Sequence, residues 1–272
     1  GGDQRQLVLR GELAQGGEAF VVHVKQLDAS GSDGSGSDGS GGSGALLPER
    51  IPNAYYGLEW AADSQHLFYT QLGAAHRPDS VWRHRLRDDP SADQRVFHEP
   101  DDRFFVELGK TSSGAYLLIV LDSNITSEVW SVPAAAPLAE PQVIGVRRTG
   151  HEYSVDERGG WFYVRSNQDA ANFRVLAAPL GDPLGDPAAW QEVAAHDPDF
   201  LIEKLITFAG HLVLFGRREG LPALRVLHMA PDEPLAGPRV LAAHDVVLPE
   251  AVYTCSLVRN AVYDTPVLYF AY

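Results

Sequence analysis

The chain has 272 residues, 44% of them apolar and 10% aromatic, which is enough for a buried core and too apolar for general disorder. Its 36 acidic and 22 basic side chains leave a formal charge of −14, which repels phosphate backbones and argues against nucleic acid as a partner. No run approaches the roughly 18 apolar residues of a membrane span, so no membrane partner is expected, and one cysteine, Cys255, excludes an internal disulfide and fits a reducing compartment.

The chain opens on Gly1-Gly2-Asp3-Gln4-Arg5, without an apolar stretch of signal-peptide length, and its only methionine is Met229. It is therefore expected to be a slice of a longer product. Residues 7–9, 20–24 and 45–47 are strand-like runs that fit runs two to four of a unit whose first run is missing. Residues 28–44, between the last two of these, are almost purely Gly, Ser and Asp. Such a stretch cannot bury enough apolar surface to offset its conformational entropy. It is expected as a flexible insertion in a hairpin loop, where closure entropy grows only logarithmically with length. Gly34-Ser35-Gly36-Ser37-Asp38 is superficially like a calcium-binding nonapeptide repeat, but Ser40 stands where that repeat needs an apolar residue, so no calcium site is expected.

From there a unit of about 48 residues recurs four times. The second runs open at Leu67, Leu117, Phe162 and Leu212, at spacings of 50, 45 and 50 residues. A turn precedes each: Ala62-Asp63-Ser64, Thr111-Ser112-Ser113-Gly114, Asp156-Glu157-Arg158-Gly159-Gly160 and Ala209-Gly210. The third runs are Ser80-Val81-Trp82-Arg83, Glu128-Val129-Trp130-Ser131, Asn172-Phe173-Arg174-Val175 and Ala223-Leu224-Arg225-Val226. The fourth runs centre on Val96, Val143, Val193 and Val240, 47, 50 and 47 residues apart. Residues 252–258 and 267–272 fit runs one and two of a later unit, with Cys255 as a small buried residue rather than a reactive thiol. The fold class that follows is all-β: an incomplete β-propeller of four-stranded antiparallel blades, four full blades plus two partial ones, with residues 1–272 part of one domain. Partial blades leave strand edges open, so the isolated slice is expected to be marginally stable and to associate through its terminal strands.

The motifs of catalysis are missing. Gly41-Gly42-Ser43-Gly44-Ala45 matches the nucleophile-elbow string but lies at the end of the insertion, without a flanking strand and helix. The ten histidines show no His-Glu-x-x-His spacing, and His98-Glu99 and His151-Glu152 are single steps whose side chains point to opposite strand faces. These histidines are expected to be solvated or hairpin-paired. No glycine-rich nucleotide loop follows a strand. No catalytic residue, metal or cofactor is expected within the chain.

Residues 56–272 resemble the propeller domain of oligopeptidase B, in the prolyl oligopeptidase family of serine peptidases. The stretches that carry the resemblance are Leu58-Glu59-Trp60-Ala61-Ala62-Asp63 with Leu67-Phe68-Tyr69-Thr70, then Arg77-Pro78-Asp79-Ser80-Val81-Trp82-Arg83-His84 and Thr126-Ser127-Glu128-Val129. Arg147-Arg148-Thr149-Gly150-His151-Glu152-Tyr153-Ser154-Val155 and Ser166-Asn167-Gln168-Asp169-Ala170-Ala171-Asn172-Phe173-Arg174 follow in order. Leu47-Pro48-Glu49-Arg50-Ile51 fits the family's Leu-Pro-Asp-Arg-Ile, with the short turn before it expanded into the insertion.

The resemblance implies a seven-bladed propeller that covers an α/β-hydrolase domain carrying Ser, Asp and His, and that admits only short, flexible peptides. Cleavage after Arg or Lys, and a soluble, cytoplasmic enzyme, are implied as well. The hydrolase domain lies outside this chain, so no catalytic residue carries over and the chain alone should be inactive. Loops joining runs two and three share a propeller face with those leading to the next blade, which marks residues 71–79, 122–126 and 166–172 as the face toward the hydrolase domain and short basic peptides. Asn167, Asp169, Asn172 and Arg174 are the polar cluster expected there, with Arg77 and Asn124. The same residues admit a structural role: Asp169 and Asn172 capping a turn, Arg174 pairing with a carboxylate. The alternative function is a stand-alone, non-catalytic propeller fragment that binds proteins or peptides. A sugar-acting or cofactor-dependent enzyme has no motif in its favour.

Overall fold

The computed structural model describes residues 7–13, 19–27, 44–180, 190–231 and 237–272. Antiparallel strands in chain order dominate it. Strands β1 (Leu7–Leu13), β2 (Phe20–Leu27) and β3 (Gly44–Ala54) form a three-stranded sheet. β4 (Leu58–Trp60), β5 (His66–Leu72), β6 (Pro78–Arg85) and β7 (Gln94–His98) form the second sheet. The third contains β8 (Phe105–Lys110), β9 (Tyr116–Asp122), β10 (Ser127–Pro133) and β11 (Gln142–Gly145). β12 (Tyr153–Arg158), β13 (Trp161–Ser166), β14 (Arg174–Pro179) and β15 (Gln191–Ala194) make the fourth. β16 (Leu201–Thr207), β17 (His211–Arg218), β18 (Leu221–Met229) and β19 (Val240–Asp245) make the fifth. A short pair, β20 (Ser256–Leu257) with β21 (Phe270–Ala271), ends the chain. The four full units and the two partial ones read from the sequence are thus present as sheets. Most of the Gly/Ser/Asp insertion lies outside the described residues.

The second strand of each unit carries the strongest sequence signal because it is buried on both faces. Phe162, Tyr163 and Val164 of β13 are at most 1% exposed. Phe162 and Val164 pack with Leu118, Val129 and Ile144 of the preceding sheet, while Tyr163 packs with Phe200, Leu212 and Leu214 of the following one. Successive side chains of a strand point to opposite faces, so one apolar run joins two neighbouring sheets. The same holds for β17, where Val213 turns to Phe208, Val226 and Cys255. At the other end of the chain Leu67 and Tyr69 of β5 pack on Val22, Ile51 and Ala54. Each such residue contributes about 1.5–3 kcal/mol of burial. Outer strands such as β19 are largely exposed and correspondingly faint in sequence.

One repeated feature has no sequence signature. The third strand shifts register against the fourth at Val81/Trp82, Val129/Trp130, Val175/Leu176 and His228/Met229. In each of these sheets the extra residue, Val96, Ile144, Val193 or Leu241, lies second or third in the outer strand, and such a bulge adds local twist there. The hairpins follow turn chemistry: Gly159-Gly160 and Glu219-Gly220 have positive φ at both central positions, as tight two-residue turns require.

Two boundaries differ from the sequence reading. Asp156, Glu157 and Arg158 belong to β12 rather than to the turn, because their side chains are buried and bonded across to other strands. β14 starts at Arg174, since Phe173 has φ +64° and Asn172 is held in the turn before it. Two compact units divide the chain, residues 1–109 with 133–141, and residues 110–132 with 142–272.

Candidate functional site: the loop rim

In a meander of four strands, the loop between strands two and three opens at the same end as the link to the next sheet. In the second unit this end comprises residues 123–126, 146–152, 167–173 and 195–200. Their backbones are stitched together. Gly150 N–H donates to Thr126 Oγ1 at 3.1 Å, and Ser127 N–H to His151 O at 2.9 Å. Asn167 donates from Nδ2 to Gly150 O at 3.1 Å and accepts from Glu152 N–H at 2.9 Å. Asn172 Nδ2 donates to Pro198 O at 2.6 Å and Asp197 O at 3.2 Å, and Ile202 N–H donates to Asn172 O. Arg165 donates to Ile202 O at 2.6 Å with its guanidinium 3.4 Å from the Phe173 ring centre. Burial lowers the Arg165 pKa to about 10.

Two further groups stiffen this rim. Arg225 and Arg218 bond Asp245 at 2.7 Å each, and both guanidiniums lie over the Phe200 ring, at 5.0 and 5.6 Å. The Arg225 hydrogen bond, opposed by burial and aided by Arg218, holds the Asp245 carboxyl below the usual carboxylate range. His151 is 5% exposed, bonds Ser166 Oγ at 2.8 Å and stacks on Tyr153 at 4.9 Å. Burial, then the Arg148 charge, pushes its pKa down.

In the first unit the corresponding end, residues 54–57, 73–77 and 99–104, is aromatic. A cleft of about 370 Å³ is lined by Tyr55, Tyr56, Thr70, Pro78, Phe105 and Glu107. Tyr56 is 71% exposed and held edge-on by Phe20 at 4.9 Å and Tyr55 at 4.7 Å. Gly57 is required at its floor, where a Cβ would come within 2.8 Å of Thr70.

The six residues expected on the rim fall into three situations. Asn167 and Asn172 spend their amides on backbone groups. Arg174 forms an ion pair with Glu192 at 3.7 Å, and Arg77 donates to Asp102 O at 2.7 Å with its guanidinium 4.7 Å from the Phe105 ring centre. Asn124 and Asp169, the latter at φ +52°, are exposed. Four of them lie on the one segment 167–174, with Asn167, Asn172 and Arg174 turned to separate partners. The cleft was missed because its walls come from residues up to 53 positions apart; exposed aromatics beside a glycine at strand starts are the signal it left.

The opposite end of the second unit is closed. Asp156, 6% exposed, accepts from Ser112 N–H at 2.7 Å, Ser112 Oγ at 2.6 Å, Glu157 N–H at 2.8 Å and Thr207 N–H at 2.9 Å. Glu157 accepts from Ser113 Oγ, and its backbone carbonyl from Thr207 Oγ1. Arg158 donates to Ala209 O and Ala230 O, each at 2.9 Å. This network fastens three successive sheets. Among the described residues no three His, Cys, Asp or Glu side chains group to hold a metal ion.

Known proteins resemble this chain in sequence and in fold. The family described as prolyl oligopeptidase, N-terminal β-propeller domain, matches residues 8–272. Protease 2 of Moraxella lacunata is 28% identical over 93% of this chain and 33% of its own length. Dipeptidyl aminopeptidase BI of Pseudoxanthomonas mexicana is 31% identical over 68% of this chain and 25% of its own. The structure of oligopeptidase B from Leishmania major superposes on 97% of this chain and 35% of its own with a TM-score of 0.79 at 23% identity, a likeness of fold. This chain therefore spans a quarter to about a third of the proteins it matches.

Proposed function

The chain belongs to the N-terminal β-propeller domain family of prolyl oligopeptidase, and from that premise we propose that it is the substrate-gating propeller region of an oligopeptidase B-like serine endopeptidase. The catalytic α/β-hydrolase domain is supplied by sequence outside this chain, and the substrates are short peptides cut after Arg or Lys. The match over residues 8–272 carries this reading. Its chemistry is acyl transfer: serine attack assisted by histidine, an oxyanion hole, then hydrolysis.

The propeller's part is selection. Short hairpins and a rim stitched by side-chain and backbone hydrogen bonds make a rigid wall, and rigid walls exclude folded proteins while passing flexible peptides. Asn124, Asp169, Arg77 and Arg174 are the rim groups we assign to the hydrolase and substrate side, with Asn167 and Asn172 holding the loop that presents them. The aromatic cleft adds apolar area for a peptide side chain.

The test is to label the source extract with a fluorophosphonate probe and capture the product with an antibody against this chain. The reading expects a labelled species far heavier than 29.6 kDa. An unlabelled species of 29.6 kDa would mean a stand-alone binding module.

A further inference from the structure

Two histidines unused by the rim meet on the outer strands of the fifth sheet. β18 and β19 pair with Val226 opposite His244 and His228 opposite Ala242, so the two imidazoles sit diagonally on one face. His228 Nε2 and His244 Nδ1 are 3.2 Å apart, their ring centres 5.1 Å apart and their planes 24° apart. Both residues are exposed, and β19 is the edge of its sheet. His211 lies across from His228 on β17, almost buried and stacked on Phe208 at 4.4 Å, which packs one side of the pair's sheet face.

Two imidazole nitrogens at 3.2 Å cannot both present bare lone pairs: either one N–H donates to the other, or a cation lies between them. With metal–nitrogen bonds of about 2.0–2.1 Å, two adjacent ligand nitrogens stand about 2.9 Å apart in a square plane and about 3.4 Å apart in a tetrahedron. The observed separation falls inside that window. We propose that His228 and His244 form a two-point chelate for an imidazole-seeking divalent ion, Cu²⁺, Ni²⁺ or Zn²⁺, that clamps edge strand β19 to β18.

Binding needs no net proton loss from a neutral pair. The inner nitrogen releases its proton to water and the outer nitrogen of the same ring takes one up, leaving both inner lone pairs for the metal. Among the described residues no third protein ligand stands by, so water completes the shell. An open two-nitrogen site binds moderately and follows the usual divalent order, copper tightest, while oxygen-seeking magnesium is passed over. The charge of −14 lowers the cost of bringing a dication to the surface.

The test is calorimetric titration of the chain, free of any polyhistidine tag, with CuCl₂, NiCl₂, ZnCl₂ and MgCl₂. His228→Asn, His244→Asn and, as a control at another exposed histidine, His98→Asn are titrated in parallel. The clamp predicts one saturable equivalent of copper in the wild type and the control, at least tenfold weaker binding in either pair variant, and no magnesium binding. Zinc should raise the melting midpoint of the wild type and leave both pair variants unmoved. Metal-free melts of the variants that match wild type establish that they fold. Equal affinity in the wild type and both pair variants, or no saturable binding in the wild type, overturns the proposal.

Discussion

The two ends of the sheets in the second unit use the same polar residue types and do different work. At the hairpin end a buried carboxylate, Asp156, collects four donors, and Arg158 ties two backbone carbonyls of other loops. At the rim, Asn167, Asn172 and Arg165 bond backbone groups at half-exposed positions. An unpaired buried polar group loses its full solvation, whereas an exposed one falls back on water. The hairpin end is therefore where polar side chains are hardest to replace, and the rim is where the same kind of bond is lost at lower cost.

That contrast breaks most visibly at Asp156. Asp156→Asn keeps the shape but turns a donor toward Ser112 and Thr207, and urea unfolding should show a loss of about 3 kcal/mol. Arg158→Met leaves the Ala209 and Ala230 carbonyls unpaired in a buried setting, for a loss of about 2 kcal/mol in the same measurement. At the rim Asn172→Ala should cost about 1 kcal/mol, because water replaces part of what its amide gave the 197–198 carbonyls.

Acid sharpens the comparison. His151 and His211 are both held below the ordinary histidine pKa of 6.5, chiefly by burial. A depressed histidine contributes stability that is present above its unfolded pKa and is lost as pH falls through the folded one. The melting midpoint should therefore hold above about pH 6.5 and decline below it. A His151→Gln, His211→Gln double variant should show a flatter pH profile, measured by circular dichroism. A steeper profile would locate the acid-sensitive groups elsewhere.

Much of the fold was legible because burial repeats. The second strands are apolar on both faces, so Leu67, Leu117, Phe162 and Leu212 mark the period without help from homologues. The outer strands showed only as faint alternation, and the bulges at Val81, Val129, Val175 and His228 not at all, since a register shift is a property of two strands and not of either sequence. The rim was legible as turns. What its residues do was not: Asn167 and Asp169 stand two positions apart, yet one is bonded to Gly150 and Glu152 and the other is exposed. Asp156 read as a turn residue because Asp before glycines is what a turn contains. Only the neighbouring sheets, which bring Ser112 and Thr207 to it, reveal a buried carboxylate.

The most direct test of this division of labour is urea unfolding of Asp156→Asn and Asp169→Asn side by side, one substitution at each end. The account predicts a loss of about 3 kcal/mol for the first and a change within about 0.5 kcal/mol for the second. Equal losses, or a larger loss at Asp169, would contradict it.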